Sequence, residues 1–198
     1  MKLLVWDFDG TIGYREGRWS GAFSDLLGAE APDFHFASAN LSAVLQSGFP
    51  WHTPAIAHPH IRNADEWWAM QETSFEKAFT KLGLDATRAV SFAKKIRPRY
   101  CSANGWHLYP DSMEALARLS TAGWEHILLS NHVPELPHIL DGLGLRDQFR
   151  KVVNSAFTGY EKPHPHAYAK AIEEVAGIDD LRPLQNSGET RPCPSASE

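Results

Sequence analysis

A chain of 198 residues, 43% hydrophobic and 22% charged, has the composition of a soluble globular protein with room for one domain, or one domain carrying an insert. Its net charge of -5 weighs against nucleic acid or an anionic membrane as the main partner. No apolar run approaches a membrane span, no signal peptide fits before the first strand, and two distant cysteines, Cys101 and Cys193, point to a reducing, cytoplasmic location.

The first element is the apolar run Lys2-Leu3-Leu4-Val5-Trp6, which ends in Asp7-Phe8-Asp9-Gly10-Thr11. Such a run reads as a buried strand. Two carboxylates one residue apart then lie at its C-terminal end, where open α/β sheets place their ligands. Carboxylates that close repel each other unless a cation or a proton lies between them. The bland alternative is that each simply caps the following turn.

Residues 14–105 read as mostly helical, with no convincing strand. The clearest helix starts at Asn63, with Glu66 three residues on as in a capping box, and carries Trp68, Phe75, Phe79 and Leu82 on one face. A second helix carries Ala89, Phe92, Ala93 and Ile96 and is expected to end before Pro98. Prolines mark residues 48–60 as a loop. Three of the seven tryptophans, Trp51, Trp67 and Trp68, suit a helical core better than a substrate wall at this spacing. The histidines His52, His58, His60, His164 and His166 match no metal-ligand spacing and read as loop residues, and His132 is the histidine nearest the candidate site.

Alternation then resumes. A helix with Met113, Leu116, Ala117 and Leu119 closes at Gly123, and a strand runs through His126-Ile127-Leu128-Leu129-Ser130-Asn131. A helix with Leu136, Ile139, Leu140 and Leu143 leads to the strand Lys151-Val152-Val153-Asn154-Ser155. A last helix carries Tyr168, Ala171, Ile172 and Val175, with Gly177 as its cap. Strands alternating with helices predict an α/β, doubly wound parallel sheet of Rossmann-like type.

Three motifs occur in fixed order: Asp7-Phe8-Asp9-Gly10-Thr11, then Leu128-Leu129-Ser130-Asn131, then Gly159-Tyr160-Glu161-Lys162-Pro163. Together they resemble the haloacid dehalogenase-like hydrolase superfamily, in its phosphoglycolate phosphatase-like branch with a helical cap after the first strand. The resemblance covers residues 1–177 and is weakest in the cap. It implies a hydrolase core at 1–13 and 106–182, a cap at 14–105 and an irregular tail at 183–198. By the same resemblance Asp7 is the nucleophile, forming an aspartyl-phosphate, and Asp9 is the general acid/base. Dehalogenating members lack an acid at that second position, so Asp9 favours a small phosphomonoester over a haloacid. Gly10 and Thr11 form the turn beside the phosphate, Ser130 and Asn131 bind it, and Lys162 supplies a point charge. Magnesium is the implied cofactor, held by the Asp7 side chain and the Asp9 carbonyl. Water and an alcohol are both open as phosphoryl acceptor.

The family's fourth motif, a strand ending in acidic residues, is not visible. Asp179 and Asp180 follow no apolar strand, and the tail from Pro183 is too polar to form a buried one. The last strand of the sheet is therefore expected to be missing, leaving Leu3 to Trp6 as an open edge. An altered or shortened reading frame is the leading reading of this end, and a genuine variant is the alternative. A family member that binds phosphate without turnover is the competing functional reading.

Overall fold

The computed structural model describes residues 2–36, 41, 43–45, 48–61 and 63–176. Three parallel strands form the sheet: β1 (Lys2–Trp6), β4 (Trp124–Ser130) and β5 (Lys151–Asn154), in the order β1-β4-β5. The register pairs Trp6 with Leu128 and Ser130 with Asn154, so β4 and β5 end at one level and β1 stops two residues short of it, which leaves Asp7 and Phe8 running alongside the last residues of β4. His126 through Ser130 are all buried, as expected of a central parallel strand covered on both faces.

The two faces of that strand meet different layers. Leu128 joins the large core, with Leu116 of α4 (Ser112–Thr121) and Leu136, Ile139 and Leu140 of α5 (Leu136–Gly142). Ile127 and Leu129 point the other way, clustering with Val153 of β5 and with Ala171 of α7 (Pro165–Ala176). A one-turn helix, α6 (Ser155–Thr158), follows β5 directly. Helices on both faces of a parallel sheet make the doubly wound α/β architecture that the alternation predicts. Among the described residues β1 is an edge strand, and its Val5 side is exposed. Gly177, Asp179, Asp180 and the tail lie outside the described residues.

Between β1 and β4 the chain is mainly helical. The helices are α1 (Arg18–Glu30), α2 (Ala64–Leu82) and α3 (Ala86–Cys101), with a short 3-10 turn at Pro50–His52. Asn63 caps α2 as expected: its Oδ1 accepts from the Glu66 N–H at 2.9 Å and its Nδ2 donates to Glu66 Oε1 at 3.1 Å. The tryptophans belong to a packed aromatic core. Trp67 is fully buried, Trp19 stacks on Tyr100 with ring centroids 3.8 Å apart, and Phe49 stacks on Trp51. On the sheet side, Glu135 accepts from Trp68 Nε1 at 2.9 Å and from Arg97 Nε at 2.8 Å, tying α2 and α3 to the loop before α5.

Two local expectations are corrected. The helix through Ala89 and Ile96 does not stop before Pro98 but continues to Cys101. Pro98 is exposed and near the end of α3, so the single backbone bond it forgoes lies at the solvent-facing side, while Tyr100 and Cys101 beyond it are buried. The segment after the first strand also holds a strand: β2 (Gly13–Arg15) pairs antiparallel with β3 (Trp106–Leu108). Neither is long enough to show alternation. What fixes β2 is Arg15, whose buried guanidinium bonds Asp25 at 2.7 Å and occupies space left free by Gly105, where a Cβ would clash with it.

Candidate active site

The site forms where β1 and β4 end. Phe8 is the anchor. It is fully buried, against Trp106 at 5.4 Å and His132 at 5.6 Å between ring centroids. With that side chain turned inward, the carboxylates before and after it are left at the sheet end. The backbone then turns sharply: the N–H groups of Thr11, Ile12 and Gly13 all reach the Phe8 carbonyl, at 3.1, 2.9 and 3.1 Å. Gly10 has φ 82°, a left-handed conformation that L side chains rarely adopt, and its N–H donates to the Gly13 carbonyl. Gly10 and Thr11 are thus exposed turn residues beside the two acids.

Three donors converge on one oxygen of Asp7. Lys162 Nζ lies 2.8 Å from Oδ1, Ser130 Oγ donates to it at 3.0 Å, and the Phe8 N–H donates at 2.8 Å. No described residue bonds the second oxygen, Oδ2, and the side chain is partly exposed. Ser130 comes from the end of β4, so the register of β1 on β4 sets that contact. Asn131 does something different. Its Oδ1 accepts from the Lys162 N–H at 2.7 Å and its Nδ2 donates to the Lys162 carbonyl at 3.0 Å. The Asn131 amide therefore fixes the main chain of Lys162 instead of being left open at the mouth of the site.

Asp9 is less exposed than Asp7. Burial raises its carboxyl pKa above the usual range; Arg18 opposes this and the Asp7 charge adds to it. Its Oδ1 is buried with no hydrogen-bond partner, and Arg18 Nε stands 3.9 Å away. Arg18 starts α1 with φ 49° and also lies over Gly10. No spacing rule singles out this arginine, and sequence reading missed it. His132 is buried on the apolar side of Phe8, not at the mouth of the site, and burial pushes its pKa down to about 4.

The donor chemistry suits a hard cation. Asp7 is a partly exposed carboxylate at the sheet end, and magnesium is usually held by one or two carboxylates with substrate phosphate and water completing its shell. No group of three or more His, Cys, Asp or Glu gathers among the described residues. No helix among them is long and apolar enough to cross a membrane.

Comparison with known proteins shows the family. Residues 1–182 match the family model for haloacid dehalogenase-like hydrolases. A phosphoserine phosphatase from Thermus thermophilus is 28% identical over 206 residues, covering 91% of this chain and 81% of that protein. The haloacid dehalogenase-like hydrolase domain-containing protein 3 of Bos taurus is 25% identical over 176 residues, covering 87% of this chain and 68% of that protein. Among solved structures, the HAD-hydrolase YfnB from Bacillus subtilis, bound to magnesium, superposes with a TM-score of 0.63 at 19% identity, covering 88% of this chain and 72% of that one. With a family match that takes in β1, Ser130 and Lys162 together, this chain belongs to the haloacid dehalogenase-like hydrolases.

Proposed function

We propose that the protein is a magnesium-dependent phosphatase acting on a small phosphomonoester through an aspartyl-phosphate on Asp7. The observation that carries this reading is the convergence of Lys162, Ser130 and the Phe8 N–H on Asp7 Oδ1, which leaves Oδ2 open to attack. Oδ2 attacks phosphorus, and Asp9 gives its proton to the departing alcohol oxygen. A water then gives a proton to Asp9 and attacks the acyl phosphate, releasing phosphate and restoring Asp7. The raised pKa of Asp9 keeps more of it protonated for the first step. Lys162 and Ser130 face the phosphate oxygens, where phosphoryl transfer needs dispersed positive charge. Magnesium, held by the Asp7 side chain and the Asp9 carbonyl, would add charge neutralisation at those oxygens.

Residues 14–105 serve in this reading as a cap over a core of 1–13 and 106–182, shielding the first step from bulk water. The Thermus relative named as a phosphoserine phosphatase supports a phosphorylated metabolite as substrate, and the magnesium in the Bacillus structure supports the cofactor. Two distant thiols fit a cytoplasmic setting. The test is phosphate release from a panel of small phosphomonoesters with titrated magnesium and with chelator. Asp7→Asn is expected to abolish it, and unchanged activity in that variant overturns the mechanism.

A second reading is a family member that binds phosphate on Ser130 and Lys162 without turnover. The small number of acids favours it, since no third acidic, histidine or cysteine ligand joins Asp7 and Asp9 among the described residues. Metal-dependent turnover in the same screen removes it.

A further inference from the structure

The loop that carries Lys162 is held from two sides. On the sheet side Asn131 grips the Lys162 main chain. On the other side lies the segment before α2, and it touches the loop in three ways. The His58 N–H donates to the Gly159 carbonyl at 2.9 Å. Gly159, at φ 75°, lets the backbones pack so closely that a Cβ there would sit 2.6 Å from Pro59 Cα. Finally, His58 Nε2 stands 3.3 Å from Oε1 of Glu161.

That last pair has no evident packing rationale. Glu161 is 1% exposed and His58 6%, and neither carboxylate oxygen finds a hydrogen-bond partner among the described residues. Two apolar side chains would fill the same space at lower cost, because desolvating an ionisable pair is expensive. Such pairs are best understood where they fix one arrangement over its neighbours. The arrangement fixed here is that of the residue next in sequence, whose ammonium meets Asp7.

We infer that His58 is a positioning residue: through Glu161 it makes the placement of Lys162 conditional on the docking of the 53–61 segment against the 159–162 loop. The inference rests on the reading of Lys162 as the cation facing the phosphate. Without the imidazole, Glu161 is drawn towards water and takes the Lys162 backbone with it. Displacements on the scale of 1 Å at a reacting centre cost about a hundredfold in rate.

The experiment uses the full chain with His58→Ala, His58→Gln and the double variant His58→Ala/Glu161→Gln. Amide hydrogen exchange over residues 159–162 is followed beside kcat and KM on an aryl phosphate. His58→Ala is expected to speed exchange in that loop at least tenfold, with protection in β4 retained, and to lower kcat about 10- to 100-fold. His58→Gln, which keeps a donor, should recover most of both. The double variant removes the unpaired buried charge, so it should fold even where His58→Ala does not, yet kcat should stay low. Full recovery of kcat in the double variant overturns the inference, because the pair would then be a structural contact alone. Unchanged exchange in His58→Ala overturns it too. A wild-type protein that turns over no phosphomonoester defeats the phosphatase reading instead, and the exchange result then decides the clamp by itself.

Discussion

Lys162 Nζ stands 2.8 Å from Asp7 Oδ1, on the same oxygen that accepts from Ser130. A lysine aimed at a carboxylate can be a plain ion pair, but here the pair sits at the joint end of two parallel strands with one carboxylate oxygen left open. If it serves phosphoryl transfer, Lys162→Met should lower kcat by about 10²- to 10³-fold, the cost typical of removing one preorganised electrostatic donor. Ser130→Ala should cost less, because the Phe8 N–H keeps Asp7 oriented. Steady-state phosphate release checks both, with thermal melts to confirm that the variants fold.

Arg18 lowers the pKa of Asp9 against a larger effect of burial. Arg18→Ala should therefore move the Asp9 limb of the pH–rate profile to higher pH. The direction is the same whether the protonated form limits the first step or the ionised form limits the second. A profile that stays in place, or moves to lower pH, would show that Arg18 does not act on Asp9.

His132 makes stability depend on pH in a defined window. Its folded pKa is about 4, below the ordinary value of 6.5, so the unfolded chain binds the extra proton between these limits. The contribution is fully present above pH 6.5 and is lost as pH falls towards 4. At ~1.4 kcal/mol per pH unit this amounts to roughly 3 kcal/mol. Urea unfolding of wild type and His132→Leu at pH 7 and pH 4.5 tests it: the variant should lose distinctly less stability across that interval.

Phe8 separates the two site carboxylates and is fully enclosed. Phe8→Ala should destabilise the protein by about 3–5 kcal/mol, the usual range for truncating a buried aromatic. Because the inward Phe8 ring also fixes where the carboxylates on either side of it lie, turnover should fall even at temperatures where the variant stays folded. Denaturant unfolding and activity at 15 °C separate the two effects.

The sheet was legible because β1, β4 and β5 are short apolar runs ending in small or acidic residues, although only β4 is covered on both faces and β1 leaves its Val5 side exposed. Asp7 and Ser130 were legible as residues at strand ends, whereas Lys162, well past β5, joined them only through the resemblance carried by its Gly-Tyr-Glu-Lys-Pro motif. The rest depends on contacts between distant segments. Gly13–Arg15 is too short for a strand pattern and is held by the buried Arg15 guanidinium. Pro98 marks a helix end by its missing N–H, yet the burial of Tyr100 and Cys101 carries α3 past it. Arg18 comes to Asp9, and His58 to Glu161 beside Lys162, from positions that local patterning does not connect with the site. Asn131, expected at the phosphate, spends its amide on the Lys162 backbone, a geometry that no spacing reveals.

The pairing of Gly13, Tyr14 and Arg15 with Leu108, His107 and Trp106 has a mechanical consequence. The chain leaves the sheet for the helices along one of these strands and returns along the other. Two separate tethers would let the helices twist and slide independently of the sheet. Zipped into one ribbon, they make a single strip that runs straight into the Asp7–Phe8–Asp9 turn, while the Glu135 bonds to Trp68 and Arg97 and the His58 bond to Gly159 clasp the helical segment at its far side.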